Sequence, residues 1–489
     1  MLLNREPEQK ILSEFLESDK PEFMAIYGRR RIGKTFLIRE FFKNKKSIIF
    51  FNTMGSKDGS LVEQIRHFTK EIGNTFYSGA VLKHGKTWDE TFDLLTKAIN
   101  IVPKNKKIVL FLDEFPWMAT KKSRLLQNLD YYWNQHWSQN KRIKLIICGS
   151  SASWIINKII NNKGGLHNRI TRQILLEPLD LYATKRFLQT IGVKLNNRQI
   201  LQIYMVTGGV PYYLESIKKG LSATQIIEQL AFRKKSLLLD EFENLFSSLF
   251  SNHEICVEMI RLMSQYRYGI GQEELFREMG KNIKGKLGIT KLKELEDAGF
   301  IISFKPIFHQ RRGIYYKLID EYTLFYLRWI EPIKKTLIKK VLPSGYWEKQ
   351  QDSAAWASWS GLAFESVCYK HLPQISAALK LSPTAIPSTW RYVPTKGSKE
   401  QGAQIDLLFD RADDAITLCE IKYTDYPFTI DKQYAQKIKN KIDVFKKVTR
   451  THKQIFFAMI SGTGINKSIY SDELIDDIVT LDDLFKKDE

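Results

Sequence analysis

Cysteine is scarce and scattered along these 489 residues: Cys148, Cys256, Cys368 and Cys419 stand far apart, mostly in apolar company. With no C-x₂-C pair the chain has neither zinc-ligand spacing nor a disulfide framework, and the expectation is buried thiols in a reducing, cytoplasmic compartment. Long apolar runs are missing too, since none approaches the ~18 residues of a membrane span. The start, Met-Leu-Leu-Asn-Arg-Glu, reaches charge at once and lacks the apolar core of a secretory signal. Acids are outnumbered, 54 Asp and Glu against 75 Lys and Arg, which leaves a net charge of +21. Such a surplus suits phosphate backbones or other anionic surfaces, although a diffuse coat of lysine needs no partner. The 43% hydrophobic content is that of a folded chain. Its length suggests about three domains.

What is present centres on Gly28-Arg29-Arg30-Arg31-Ile32-Gly33-Lys34-Thr35, a full GxxxxGK[ST] match. An apolar run from Phe23 to Tyr27 precedes it, and an amphipathic stretch from Thr35 to Phe42 follows, which is the strand, loop and helix setting the motif requires. Gly28 and Gly33 allow turns in which successive backbone N–H groups point at an anion, and the helix N-terminus adds partial positive charge. Lys34 is expected at the outer phosphates of ATP and the Thr35 hydroxyl on Mg²⁺.

Five apolar residues in Lys107 to Phe115 deliver Asp113 and Glu114 at a strand end, a Walker B element. Asp113 is expected to support the metal and Glu114 to polarise the attacking water. A strand from Ser47 to Phe51 between the two Walker elements, with that second acid, points to an ATPase of the additional-strand type. The strand Lys144 to Cys148 ends in Gly149, Ser150 and Ser151, where Ser150 is placed to touch a γ-phosphate or water; ordinary turn chemistry would also put serine there. After Gly164-Gly165-Leu166-His167-Asn168, Arg169 is the first choice for an arginine finger and Arg172 the second, against the plainer reading of a solvated loop arginine.

From Asp180 the pattern is helical, with a rigid corner at Gly208-Gly209-Val210-Pro211. Asn252 to Met263, Gln272 to Met279 and Leu287 to Ala298, followed by a hairpin through Gly299 to Ser303 and Gly313 to Lys317, suggest a winged helix. Lys281, Lys284, Lys286, Lys291 and Lys293 fall near its recognition helix and Arg311 and Arg312 near the wing tip. Those positions would meet phosphates if the module reads DNA; a lid or protein contact is the equal alternative. A lysine-rich segment ending in Pro343-Ser344-Gly345 reads as a linker.

The last third carries a second constellation. A helix through Gly361 to Cys368 bears Glu365; an apolar strand bears Asp406; after a tight acidic turn, a second strand bears Glu420 and Lys422 on one face. Carboxylates so placed can hold Mg²⁺ against a scissile phosphate while the lysine positions water. The alternative is a degenerate fold in which the acids merely pair with Lys422. A basic helix with Lys432, Lys437, Lys439 and Lys441 and a buried strand, Gln454 to Ile460, follow.

Together, Asn4-Arg5-Glu6, the P-loop, Leu112 to Phe115, Cys148 to Ser151, Gly208 to Pro211 and the block Asp406 to Tyr423 resemble the prokaryotic AAA-type ATPase family common in archaea. Its members carry a C-terminal domain related to restriction endonucleases, of the PD-(D/E)xK type; the chain departs from that pattern in having Ile405 where the proline would stand. The chain is also similar to signal-transducing ATPases that act as nucleotide-gated switches. The resemblance implies an α/β P-loop core with a parallel sheet over 1–180, a helical lid over 181–250, a winged helix over 251–330, a linker over 331–350 and a restriction-endonuclease-like α/β domain over 351–489. It implies ATP and Mg²⁺ as cofactors, DNA as a partner, no membrane, and room for a homo-oligomer. The function expected is an ATPase whose nucleotide state controls a DNA-directed nuclease. The alternatives are a switch whose last domain binds without cutting, and a chaperone-like ATPase acting on protein.

Overall fold

The structure, a computed structural model, describes residues 4–161, 166, 168–280, 283, 285–305, 313–339, 342–343, 345–394 and 401–487. It divides into two compact units, Met1–Pro178 and Leu179–Glu489. Gly164, Gly165, His167, Lys281, Lys284, Arg311, Arg312 and Ser344 lie outside the described residues. Among the described residues no helix is long and apolar enough to cross a membrane.

The first unit is a five-stranded parallel sheet of β1 (Glu22–Tyr27), β2 (Ile48–Met54), β3 (Lys107–Asp113), β4 (Ile143–Gly149) and β5 (Arg172–Leu175), in the order β2-β3-β4-β1-β5. The central strands are continuous apolar runs because both faces are covered. Phe23 and Ala25 enter one core while Met24 and Ile26 enter the other; Ile108, Leu110 and Leu112 alternate in the same way with Val109 and Phe111. The strand between the P-loop strand and the Walker B strand in the sheet is β4. The strand between them in sequence, β2, lies at the edge.

The second unit opens with the helices Leu181–Thr190, Asn197–Thr207, Pro211–Glu215, Ala223–Ala231 and Glu241–Leu249. A helix and sheet module follows: His253–Met263, β6 (Ile270–Gly271), Gln272–Glu278, Lys286–Asp297, β7 (Ile301–Phe304) and β8 (Tyr315–Leu318), with an antiparallel sheet ordered β6-β8-β7. Of the lysines expected to meet phosphates, Lys286 and Lys293 are exposed, but Lys291 is buried. Lys291 Nζ donates to the Ser251 carbonyl at 2.5 Å and pairs with Glu294 at 2.8 Å, so it braces the module from inside.

Residues 331–350, expected as a linker, include the helices Lys334–Lys339 and Tyr346–Gln351. Trp347 is fully buried, stacked on Phe232 with ring centroids 5.1 Å apart and edge-on to Trp329 and Trp356. One continuous core therefore runs from Leu179 through the helix Ala354–Lys370 to Phe485. The last part is a mixed sheet of β9 (Ile386–Tyr392), β10 (Ala403–Asp410), β11 (Ala415–Lys422), β13 (Gln454–Ser461) and β15 (Asp477–Thr480), ordered β15-β13-β11-β10-β9. The short strands β12 (Phe428–Thr429) and β14 (Ile465–Asn466) pair beside it. The helix Lys432–Thr449 covers the other face of this sheet through Ala435, Ile438 and Phe445.

Candidate functional sites

The first site forms where β1 gives way to the loop. Gly28 has φ +138°, and a Cβ there would lie 2.2 Å from the Leu176 carbonyl oxygen, so only glycine fits. Gly33, at φ +93°, caps the helix Lys34–Phe42 with open space where its Cβ would be. Arg31, between them, also takes the left-handed region at φ +69°. The loop, Gly28, Arg29, Arg30, Arg31, Ile32 and Gly33, is thus bent back on itself ahead of a helix N-terminus.

Lys34 is buried, and its Nζ donates to the carbonyls of Gly28 and Arg29, each at 2.8 Å. Burial lowers its pKa, opposed by Cys148, Glu114 and Asp113 close by. The Thr35 hydroxyl donates to Asp113 Oδ2 at 2.7 Å, and the Glu114 N–H donates to Asp113 Oδ1 at 3.0 Å. Glu114 has φ +43°, which turns its carboxylate toward β4. There Ser150 meets it: the Ser150 N–H donates to Oε2 at 3.1 Å and its hydroxyl to the same oxygen at 2.9 Å. Thr35, Asp113, Glu114 and Ser150 are therefore one hydrogen-bonded group, with Lys34 near enough for the charges of Asp113 and Glu114 to act on it.

Arg169 is not part of it. It is exposed, its N–H donates to the Leu166 carbonyl, and the neighbouring Thr171 N–H meets the Phe23 carbonyl at the start of β1. Gly28 lies five residue steps along from Phe23, roughly 16 Å at about 3.3 Å per step. Arg172 is tied down at the same end by Glu14 at 2.9 Å and Glu22 at 3.8 Å. An arginine finger acting within its own chain is thus not what either position offers. The Arg5 guanidinium bonds the Glu177 carbonyl at 2.7 Å and the Ile32 carbonyl at 3.4 Å, bracing the loop from behind.

The second site lies on β10 and β11. Their antiparallel register runs from Asp410 opposite Ile416 to Leu407 opposite Cys419, and Asp406 and Glu420 follow just beyond its end on the two strands. Asp406 Oδ2 accepts the Ile421 N–H at 3.1 Å and Oδ1 accepts Gln404 Nε2 at 3.0 Å. Burial, then Glu420, then Glu365 push the Asp406 carboxyl up to about 7. Burial works the same way on Glu420, but Lys422 and Lys441 overcome it and hold that carboxyl below its ordinary value. Lys422 Nζ lies 2.8 Å from Glu420 Oε1, Lys441 Nζ 2.5 Å from Oε2, and the Tyr434 hydroxyl donates to Oε1 at 2.6 Å. Two facing carboxylates thus sit in environments that drive their pKa values apart.

Glu365 is placed differently from the expectation. It is buried and close enough to raise the Asp406 pKa, but Arg267 takes its Oε1 at 2.9 Å and Lys317 its Oε2 at 3.3 Å. Among the described residues no group of three or more His, Cys, Asp or Glu converges as a metal-holding set. Of the residues reaching these acids, Lys441 reads in the sequence only as one of a basic helix, and Tyr434, Arg267 and Lys317 do not stand out there as site residues. Tyr434 can be found from helix spacing, seven residues before Lys441 on the same side; Arg267 and Lys317 come from another module and carry no local signal.

The profile of an ATPase domain predominantly from Archaea matches residues 2–217. An uncharacterized protein of Methanocaldococcus jannaschii is 26% identical over 436 residues, covering 87% of this chain and 88% of that protein. An uncharacterized ATP-binding protein of the same organism is 44% identical over 46 residues, 9% of this chain and 78% of that protein. A solved structure, the Walker-type ATPase of Pyrococcus abyssi, aligns with TM-score 0.47 at 18% identity, over 67% of this chain and 96% of that one.

Proposed function

We propose that the chain, whose residues 2–217 match the profile of an ATPase domain predominantly from Archaea, couples ATP turnover in its first unit to a phosphodiester-cleaving site on β10 and β11. In this reading 1–180 is the ATPase core, 181–250 a helical lid, 251–330 a winged helix, and 351–489 a restriction-endonuclease-like domain that meets DNA.

The residues present fit ATP with Mg²⁺. Lys34 now donates hydrogen bonds to two loop carbonyls and would exchange them for bonds to phosphate oxygens, with the loop N–H groups and the helix N-terminus beside it. Thr35 and Asp113 offer the hard oxygen donors that Mg²⁺ prefers. Bound there, the metal supplies charge neutralisation on the phosphates. Glu114 takes the proton of the attacking water, and Ser150 orients Glu114. Lys34→Ala is expected to abolish binding of a fluorescent ATP analogue; retained tight binding would remove the assignment.

The single observation that carries the second half is the closeness of Asp406 and Glu420 on neighbouring strands, Asp406 accepting the Ile421 N–H and Glu420 held by Lys422 and Lys441. Two carboxylate donors suit a divalent cation such as Mg²⁺, whose bound state would polarise a phosphodiester. Asp406 and Glu420 would hold it and Lys422 would face the scissile phosphate; Glu365 reaches a metal only if Arg267 and Lys317 give it up. The experiment is incubation of the full chain with plasmid and linear DNA plus Mg²⁺ or Mn²⁺, with and without ATP, beside an Asp406→Ala, Glu420→Ala variant. Cleavage by wild type alone supports the reading. Equal absence of cleavage with intact DNA binding favours the second reading, a nucleotide-gated switch with a non-cutting domain, for which the cation-bound Glu365 speaks.

A further inference from the structure

We propose that Gln64 is a positioning residue for ATP hydrolysis: its carboxamide ties the loop after β2 to the short helix after β3, and so fixes the backbone from which Glu114 acts. This rests on the reading of Glu114 as the group that activates the attacking water.

The conformation of Glu114 is the first argument. Its φ of +43° lies in the left-handed region, which is uncommon for a residue with a Cβ and persists where the surroundings over-determine it. Ser150 restrains the carboxylate, and the backbone has supports of its own. The Glu114 carbonyl accepts the Trp117 N–H at 2.9 Å, in the first turn of the helix Phe115–Met118. From the other side Gly55 carries the pairing of β2 with β3 one step further, its N–H donating to the Asp113 carbonyl at 2.9 Å. A Cβ on Gly55 would lie 2.6 Å from the Glu114 carbonyl oxygen, so the two backbones meet with no room for a side chain between them.

Gln64 closes this arrangement into a ring. It is the fourth residue of the helix Leu61–Phe76, whose start is fixed by the reciprocal cap of Ser60 and Glu63, and it is only 3% exposed. Its Oε1 accepts the Ser56 N–H at 3.0 Å, while Nε2 donates to the Ser56 carbonyl at 2.7 Å and to the Trp117 carbonyl at 3.2 Å. One buried amide thus joins Ser56, next to Gly55, to Trp117, whose N–H holds the Glu114 carbonyl. The chemistry needs one acceptor and two donors on a single short fork, which glutamine supplies. Glutamate of the same shape would set an oxygen against two carbonyls, and methionine would leave all three backbone groups without their partner.

The test uses the full chain and Gln64→Met, which keeps the length of the side chain and removes its hydrogen bonds. The kcat of ATP hydrolysis is expected to fall about tenfold while equilibrium binding of a fluorescent ATP analogue stays at its wild-type value. Gln64→Glu is expected to fall at least as far. In a Glu114→Gln background Gln64→Met is expected to slow nothing further, because residues that act as a unit do not add. Because Gln64 is buried, Gly55→Ala is run beside it and probes the same backbone from its other side, with the same loss of kcat expected. Amide hydrogen exchange read by mass spectrometry reports the brace without turnover: residues 115–118 are expected to exchange faster in Gln64→Met, and 28–33 as in wild type. Unaltered kcat in the folded variants, an equal loss of nucleotide binding, the same slowing in the Glu114→Gln background, or unaltered exchange over 115–118 overturns the positioning role. If Glu114→Gln loses hydrolysis while Gln64→Met and Gly55→Ala keep it, the positioning role falls and the reading of Glu114 stands. If wild type and Glu114→Gln hydrolyse ATP equally, the reading of Glu114 falls and the positioning role with it.

Discussion

Ser150 holds Glu114 through both its backbone N–H and its hydroxyl, at 3.1 Å and 2.9 Å from the same carboxylate oxygen. The hydroxyl also reaches the other carboxylate oxygen, at 3.1 Å, so the carboxylate proposed as general base is held in one orientation. Removing the hydroxyl leaves the base in place but free to rotate, and a misplacement of about 1 Å can slow chemistry by up to 10²-fold. Ser150→Ala should therefore lower the kcat of ATP hydrolysis by roughly tenfold while KM stays near its wild-type value. Glu114→Gln should lower kcat much further with ATP binding retained. Steady-state phosphate release beside equilibrium nucleotide binding separates the two quantities.

His371 should make the second unit acid-sensitive. It is fully buried, accepts the Leu181 N–H at Nε2 (3.1 Å) and faces the Val367 carbonyl at Nδ1 (2.8 Å), so the neutral ring joins two helices. Burial lowers its pKa from 6.5 to about 4, with Lys370 pressing the same way against the Val367 bond. Its folded pKa lies below its unfolded one, so as pH falls from 6.5 to about 4 the unfolded chain takes up a proton that the native chain refuses. Stability falls through that window, by up to about 3 kcal/mol from this residue. Urea melts at pH 7 and pH 4.5 should show a larger loss for wild type than for His371→Gln. Equal losses would mean that the ring does not titrate as placed.

Trp347 should matter far more than a linker residue. It packs against Phe232, Trp329 and Trp356 with no exposed surface. Trp347→Ala is expected to destabilise the second unit by about 3 to 5 kcal/mol. Lys349→Ala, two residues along on the same short helix and exposed, should change stability by less than about 0.5 kcal/mol. Thermal melts followed by far-ultraviolet circular dichroism compare the two.

Much of the nucleotide site was legible because it is contiguous. Gly28 to Thr35 specify their own backbone through two glycines and a helix start, and Asp113 and Glu114 follow five apolar residues that have to form a buried strand. The hairpin was legible for a similar reason, since two short apolar runs joined by the tight turn Arg411 to Asp414 can pair only with each other over so short a connection. Arg169 misleads because a glycine-bounded arginine looks alike at either end of a parallel sheet. The end at which it falls depends on where β5 begins, and the neighbouring Thr171 meets Phe23, far from the loop. Lys291 misleads because a lysine on an amphipathic helix reads as solvent-facing until a buried carbonyl, that of Ser251, is found above it.

By itself the sequence determined a P-loop strand, loop and helix, a Walker B strand and an acid-bearing hairpin, since each is a matter of short-range sterics and alternating burial. Only the tertiary structure decided that β4 stands between the Walker strands, that Trp347 is core, that Lys441 and Tyr434 close on Glu420, and that Glu365 is met by Arg267 and Lys317. Those are contacts between residues many positions apart, 98 in the case of Arg267 and Glu365. Nothing in the neighbours of either residue encodes them, because a charge finds its partner through the packing of whole modules rather than through its own stretch of chain.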